Sequence, residues 1–360
     1  MTRPTWAEVD LAAVRANVAA LRDLVAPAEL IAVVKADGYG HGAAGVARAA
    51  LAAGAASLAV ATADEALALR DVGVDVRILV LSDLTQDAID EVARHDLDLT
   101  VSTRESIDAA VKAGIRRLHL KVDTGMHRVG CEPAEAVELA RRCGASLVGV
   151  WSHLAEADDA TSPATDRQLE RFDRVMAELG EAQIRPRLVH LANSAGAIAQ
   201  PRARRDAVRC GIAIYGIDPA PAIAGQVALR PALSLHSRVR ALRAIEAGEA
   251  VSYGGRWRAA DATRLATIPI GYADGVPRRL GLAGGEVLIR GRRCPIRGVV
   301  TMDQAMVEVG EDVALDDEVV LIGAQGDEHV DAWEWATALD TIAYEIVTGI
   351  GPRVPRRYSQ

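Results

Sequence analysis

Aromatic side chains are scarce in this sequence, at 3% of 360 residues with a single phenylalanine. Alanine, valine and leucine must therefore fill the interior, and an aromatic in a turn needs its own explanation. Cysteine is sparse as well. Cys131, Cys143, Cys210 and Cys294 lie far apart with no CxxC among them, which speaks against both a disulfide framework and a zinc site. Surplus positive charge is also lacking. The formal charge of −8 favours solubility and argues against a nucleic-acid surface, so the basic cluster RARR at 202–205 reads as a solvated helix face. No apolar run reaches membrane-spanning length, and the start, MTRPTWAEVD, carries no apolar segment of the secretory kind. A cytoplasmic protein without membrane association or a bound metal is expected.

What the chain does have is a rhythm. A short strand-like stretch, WAEVDL at 6–11, precedes a helix-like one with Leu11, Val14, Val18 and Leu21 at helical spacing. Strand-like apolar runs then recur at 30–37, 57–62, 77–82, 98–103, 117–125, 146–153, 187–194 and 207–216. Between them lie stretches such as DEALALRDVG and RESIDAAVKAG, which open on acidic residues and close at glycine as helices do. Eight such units in about two hundred residues have the size of a (β/α)8 barrel. The competing open sheet lacks support, because no GxGxxG follows the first strand. A connector containing prolines, IDPAPAIAGQVALRPAL, leads into short strand-like runs such as RLATIPI, EVLIRG, AMVEVG and EVVLIG, with no helix-length pattern until DAWEWATALDTIAYEIV. The expected architecture is an α/β chain with an N-terminal barrel at 1–222 and a mainly β C-terminal domain at 223–360, the strand 6–11 being free to pack on the β domain. EADDATSPATD at 156–166 reads as a solvated loop with a helix cap.

Chemistry-bearing residues cluster at the carboxyl ends of the barrel runs. The first run, LIAVV, ends at Lys35, followed by a Gly-rich turn and an alanine-rich, helix-forming stretch from His41. Lys121 with Asp123 and Arg128, His153, Asn193 with Ser194, and Arg209 hold similar places. Each has a purely structural reading, a buried salt bridge for Lys121 and Asp123 or a hydrogen-bonded core imidazole for His153. Such residues at the ends of five runs, on the rim where barrel enzymes build their sites, favour function. An amine partly desolvated at a strand end has a lowered pKa and suits imine chemistry. The loops after the last two runs, NSAG at 193–196 and CGIAIYG at 210–216, have the glycines that close approach of backbone N–H groups to a phosphate requires. Lysine and phosphate cradle together suggest pyridoxal 5′-phosphate. Arg209 is then the candidate partner of the ring nitrogen. A guanidinium only donates, which leaves the ring a weaker electron sink and favours proton removal and return over transamination. Tyr272 in TIPIGYADG and Met302 with Asp303 in TMDQAM stand in turns of the second domain.

Taken together, ELIAVVKADGYGHGA, LKVDTGMHRVG, HLANSAG, RCGIAIYG, TIPIGYADG and TMDQAM closely resemble the alanine racemases, in order and over nearly the whole chain. The resemblance implies a pyridoxal-phosphate isomerase that interconverts L- and D-alanine for D-alanine biosynthesis, working as a homodimer with active sites shared between subunits. It implies that Lys35 holds the cofactor and is one base, and that Tyr272 of the second subunit is the other, aided by a chain from Tyr272 to His153 to Arg209. Tyr39 and Ser194, with Asn193 and the backbone of Gly211 and Ile212, would serve the phosphate. Arg128 would meet the cofactor's phenolic oxygen and the substrate carboxylate, and Met302 with Asp303 would bound the substrate. Lys121 matches a lysine that is carbamylated in several members. Two positions depart from the family pattern: Pro352 replaces a phosphate-contacting tyrosine, and Thr301 stands where many members have cysteine. They leave open a broader or shifted specificity, serine included. A non-catalytic pyridoxal-phosphate carrier has no use for the second domain's Tyr272, Met302 and Asp303. A decarboxylase on the same plan would use an acid where this chain has Arg209.

Overall fold

The computed structural model describes residues 3–159 and 161–360; Ala160, in the expected acidic loop, and the first two residues lie outside them. The remainder of that loop leads to a helix, Pro163–Glu181, whose first turn is capped by the Ser162 hydroxyl and opens on proline, a residue with no N–H to leave unsatisfied.

Within the described residues eight parallel strands close into a barrel. They are β2 (Glu29–Val33), β3 (Ser57–Val60), β4 (Ile78–Val80), β5 (Asp98–Val101), β6 (Leu118–Lys121), β7 (Leu147–Trp151), β8 (Leu188–His190) and β9 (Ala207–Cys210), where β1 denotes the earlier strand Trp6–Asp10. Short, largely apolar and largely buried, they are the strands expected of a sheet covered by helices. The helices between them start at legible caps. Thr62 and Glu65 form a reciprocal capping box, as do Thr103 and Ser106. Seven of these strands fall inside the runs that the sequence marks, and β2 begins one residue before its run, at Glu29.

Contacts divide the chain into two compact units. One comprises Ala12–Gly38 and Ala43–Arg230, and holds the barrel; the other comprises the N-terminal residues through Leu11, Tyr39–Gly42 and Pro231–Gln360. In the second unit, β1 pairs antiparallel with Leu233–Arg238 and parallel with Arg356–Ser359. They belong to a seven-stranded sheet, beside a three-stranded one of Ala241–Ile245, Thr263–Ile268 and Ala305–Val309. Two short helices, Ala332–Leu339 and Ala343–Thr348, follow late in the chain. Among the described residues no helix is long and apolar enough to cross a membrane.

Candidate active site

β2 delivers Lys35 to the carboxyl end of the barrel, and the chain then turns in an uncommon way. Ala36, Asp37, Gly38, Tyr39 and Gly40 all have φ between 49° and 80°, a left-handed run that costs a non-glycine residue about 1–2 kcal/mol each. The predicted alanine-rich helix therefore starts at Ala43 rather than at His41. Carboxylates hold the turn. Ala36 N donates to Glu65 Oε1 at 2.7 Å, Glu65 Oε2 accepts from Ala61 N at 2.7 Å, and Asp37 Oδ1 accepts from Ala43 N at 2.8 Å. Tyr215 donates its hydroxyl to the Val33 carbonyl at 2.9 Å, bracing the strand just before the lysine.

The loop after β6 carries Arg128, and Asp123 folds it. Its carboxylate accepts from the N–H groups of Gly125 (2.8 Å), Met126 (2.9 Å) and Arg128 (3.1 Å). Burial works to raise the Asp123 pKa, but these backbone donors outweigh it and lower the value. The predicted structural alternative, a Lys121–Asp123 salt bridge, does not form. Lys121 instead places Nζ 4.4 Å above the Trp151 ring, with Arg209 stacked on the same ring at 4.5 Å.

Arg209 is 3% exposed and meets acceptors only. It donates to the carbonyls of Ser152 (2.9 Å), His190 (3.1 Å) and Leu191 (3.1 Å), and to Nδ1 of His190 (2.9 Å) and of His153 (3.1 Å). Burial without a carboxylate partner brings its pKa down to about 9. Burial, followed by the charge of Arg209, pushes His153 well below the ordinary histidine value, so its ring is neutral. Burial and then Arg128 lower Lys35, and the same two causes, with Arg209, bring Lys121 to about 8. These mutual influences mean that Lys35, Lys121, Arg128, His153 and Arg209 lie close to one another. Among the described residues none of these four cations has an ion-pair partner within the structure, which marks a site awaiting anionic groups.

After β8, Asn193 caps the helix Ser194–Ala199, its side-chain oxygen accepting from Gly196 N at 2.9 Å. Ser194 Oγ accepts from Gly211 N at 2.9 Å and lies 3.4 Å from Ala213 N. Convergent N–H groups here face an oxygen. Together with an amine of lowered pKa and unpaired cations, they fit pyridoxal phosphate, whose phosphate and phenolic oxygens carry the missing negative charge.

The other unit, taken by itself, brings Tyr272, Met302 and Asp303 together. Tyr272 N donates to the Thr301 carbonyl at 2.9 Å and Ala273 N to the Met302 carbonyl at 3.0 Å. A Cβ on Gly271 would lie 2.3 Å from the Thr301 oxygen, so only glycine permits this approach. Fully buried Asp274 anchors the turn, accepting from Gly271 N at 3.0 Å and from Arg3 at 2.7 and 2.9 Å. Asp303 is paired with Arg353 at 2.6 Å. Thr301 donates its hydroxyl to the Gln304 carbonyl at 2.8 Å, so the unusual threonine closes this loop. Tyr272 and Met302 are 42% and 52% exposed. Tyr39 also belongs to this unit, its ring 6.2 Å from that of Tyr344, and Pro352 is exposed there.

Glu65, His190 and Trp151 were not marked by position in the sequence. The available signal was period two: His190 lies two residues from Leu188 in β8 and so faces the same side.

Comparison with known proteins covers the whole chain. Two family models match it, "Alanine racemase, N-terminal domain" over residues 9–219 and "Alanine racemase, C-terminal domain" over 232–358. An alanine racemase of Symbiobacterium thermophilum is 50% identical over 367 residues, spanning 99% of this chain and 97% of that protein. The crystal structure of alanine racemase from the D-cycloserine producer Streptomyces lavendulae matches with a TM-score of 0.93 at 41% identity, covering 100% of this chain and 98% of that one. That of the Bacillus anthracis alanine racemase with bound L-Ala-P matches with a TM-score of 0.93 at 40% identity, covering 100% and 96%.

Proposed function

Because the chain belongs to the alanine racemases, and interconverts L- and D-alanine with pyridoxal 5′-phosphate, we propose that Lys35 and Tyr272 are its two bases and that they meet across a homodimer. The bound cofactor supplies the electron sink that makes the α-proton of alanine removable. Lys35 then takes that proton on one face, and the Tyr272 hydroxyl returns one on the other; the reverse reaction exchanges the roles. His153 supports Tyr272. Its Nδ1 accepts from Arg209, so the neutral ring keeps its proton on Nε2 and can donate to the phenolic oxygen, easing ionisation of a group whose ordinary pKa is about 10.

Arg209 faces the ring nitrogen in this reading. Ser194 and Tyr39, with the N–H groups of Gly211 and Ile212, hold the phosphate, while Asn193 keeps their loop in shape through its cap. Arg128 serves the phenolic oxygen and the substrate carboxylate, and Met302 and Asp303 bound the substrate from the second subunit. L-Ala-P bound to the Bacillus anthracis relative supports a small amino-acid pocket. The setting is a cytoplasmic supply of D-alanine.

One observation supports the shared site: Tyr272 and Met302 stand exposed on the β unit. Mixing Lys35→Ala and Tyr272→Phe subunits tests it. A hybrid dimer with shared sites regains one intact site, so activity reappears from two inactive proteins. No recovery in proven hybrids would place both bases in one chain.

Lys121 is proposed to be carbamylated. Its pKa of about 8 leaves free amine at neutral pH, which adds carbon dioxide and releases a proton to give an anion among Lys35, Arg128 and Arg209. Carbon-13 NMR under labelled carbon dioxide is expected to show one carbamate signal that Lys121→Ala removes. A bare amine at saturating carbon dioxide would refute it.

A further inference from the structure

Branched aliphatic side chains ordinarily fill a barrel of this kind in layers. Here a line of polar groups crosses the interior. From Arg209 on β9 it passes to His190 Nδ1 on β8 at 2.9 Å, from His190 Nε2 to His119 Nδ1 on β6 at 3.0 Å, and from His119 Nε2 to Asp98 Oδ2 on β5 at 3.1 Å. All four side chains are buried. Asp98, the first residue of its strand, also accepts from Arg77 and Arg117.

Hydrogens can be arranged along this line in one direction only. A guanidinium has donors and no acceptor, so His190 Nδ1 must accept. The neutral ring then carries its proton on Nε2 and donates to His119 Nδ1. That ring in turn donates from Nε2 to Asp98, whose carboxylate only accepts. Burial drives both imidazoles toward the neutral form, while the bonds from His119 and the two arginines outweigh burial and keep Asp98 ionised. Each end of the line enforces the same tautomers.

The fold makes room for the line at a cost in regularity. The β6–β7 pairing shifts register between Leu118 and His119, so that His119 lies opposite Gly149. A Cβ at residue 149 would stand 2.2 Å from His119 Nδ1; the glycine serves space, not backbone conformation. Among the acceptors around Arg209, peptide carbonyls can never become donors, whereas an imidazole that changes tautomer presents an N–H to the guanidinium. Asp98 removes that option for His190 from the far end of the line.

We propose that Asp98 and His119 are positioning residues of the racemase: acting through His190, they fix an acceptor toward Arg209 and so hold its guanidinium in place for the cofactor's ring nitrogen. The proposal rests on the assignment of Arg209 to that nitrogen.

Nitrogen-15 NMR of histidine-labelled apoprotein tests the line without any variant. His119 and His190 are each expected to carry the proton on Nε2; an Nδ1–H ring or an imidazolium at either position overturns the proposal. Two variants then test the consequence. His119→Gln preserves the direction, since its amide oxygen accepts from His190 and its nitrogen donates to Asp98. His119→Leu breaks it. With thermal unfolding confirming that both are folded, the leucine variant is expected to bind pyridoxal phosphate about tenfold more weakly, as for loss of one net hydrogen bond. Its His190 is expected to lose the single tautomer, while the glutamine variant stays within about twofold of the parent. If His119→Leu leaves affinity unchanged but Arg209→Lys weakens it, the positioning role falls and the Arg209 assignment stands. If neither changes affinity, the Arg209 assignment falls and the proposal with it.

Discussion

Tyr272→Phe is expected to slow α-proton exchange from one alanine enantiomer by about 10²–10⁴-fold, the ordinary range for loss of a positioned acid–base group. Exchange from the other enantiomer should fall far less, since in the proposed mechanism Lys35 addresses the opposite face. The measurement is deuterium uptake at the α-carbon in deuterated water, followed separately from each enantiomer. The variant should label the enantiomer that Lys35 serves without inverting it. This split distinguishes a lost base from a distorted pocket, because a pocket defect lowers both directions together. Equal losses would therefore refute the two-base assignment. The substitution is structurally mild: the turn is held by the main chain of Tyr272 and by Asp274, and the phenol is 42% exposed.

The barrel was legible because its strands are mostly apolar runs and several of the stretches between them open on acidic residues, as the helices after Thr62 and Thr103 do. LIAVV and RLHLK read correctly at the level of strand and carboxyl end, and the rim residues Lys35, His153 and Arg209 followed from that placement. Local signals failed where the backbone is held by distant groups. Nothing in KADGY announces a left-handed run through Ala36, Asp37 and Tyr39, since Ala36 N is held by the distant Glu65 carboxylate. Composition favoured an earlier helix start, and the glycine-rich turn with its carboxylate anchors moved it to Ala43.

The buried line from Arg209 to Asp98 was illegible for another reason. His119 in LHLK and Asp98 in DLTV sit inside apolar strands, where a single polar residue reads as an isolated exception. Their meaning depends on β5, β6, β8 and β9 closing into one barrel, and on a register shift opposite Gly149. The second domain shows the same limit. Tyr272 and Met302 could be singled out as turn residues, whereas the Thr301 closure and the anchoring of Asp274 by Arg3 required the fold.

Lys35→Ala should cost more than any other single change among the barrel's site residues. A lost base alone removes about 10²–10⁴ in rate, and the proposed covalent hold on the cofactor goes as well, so racemisation should fall by more than about 10⁴-fold. Cofactor affinity should fall with it, which titration of the apoprotein measures directly. The pH dependence of covalent uptake by the parent protein provides a second reading. Uptake needs the unprotonated amine, and burial together with Arg128 lowers the Lys35 pKa below 10.5. The rate should therefore rise with pH through a midpoint below that of an ordinary lysine. Arg128→Ala removes a positive neighbour, which stabilises the protonated amine, so the midpoint should move up. Burial remains after that change, and the midpoint should still lie below the ordinary value. A midpoint that Arg128→Ala left unmoved would mean that the arginine does not face this amine, and its assignment to the cofactor's phenolic oxygen would fall with it.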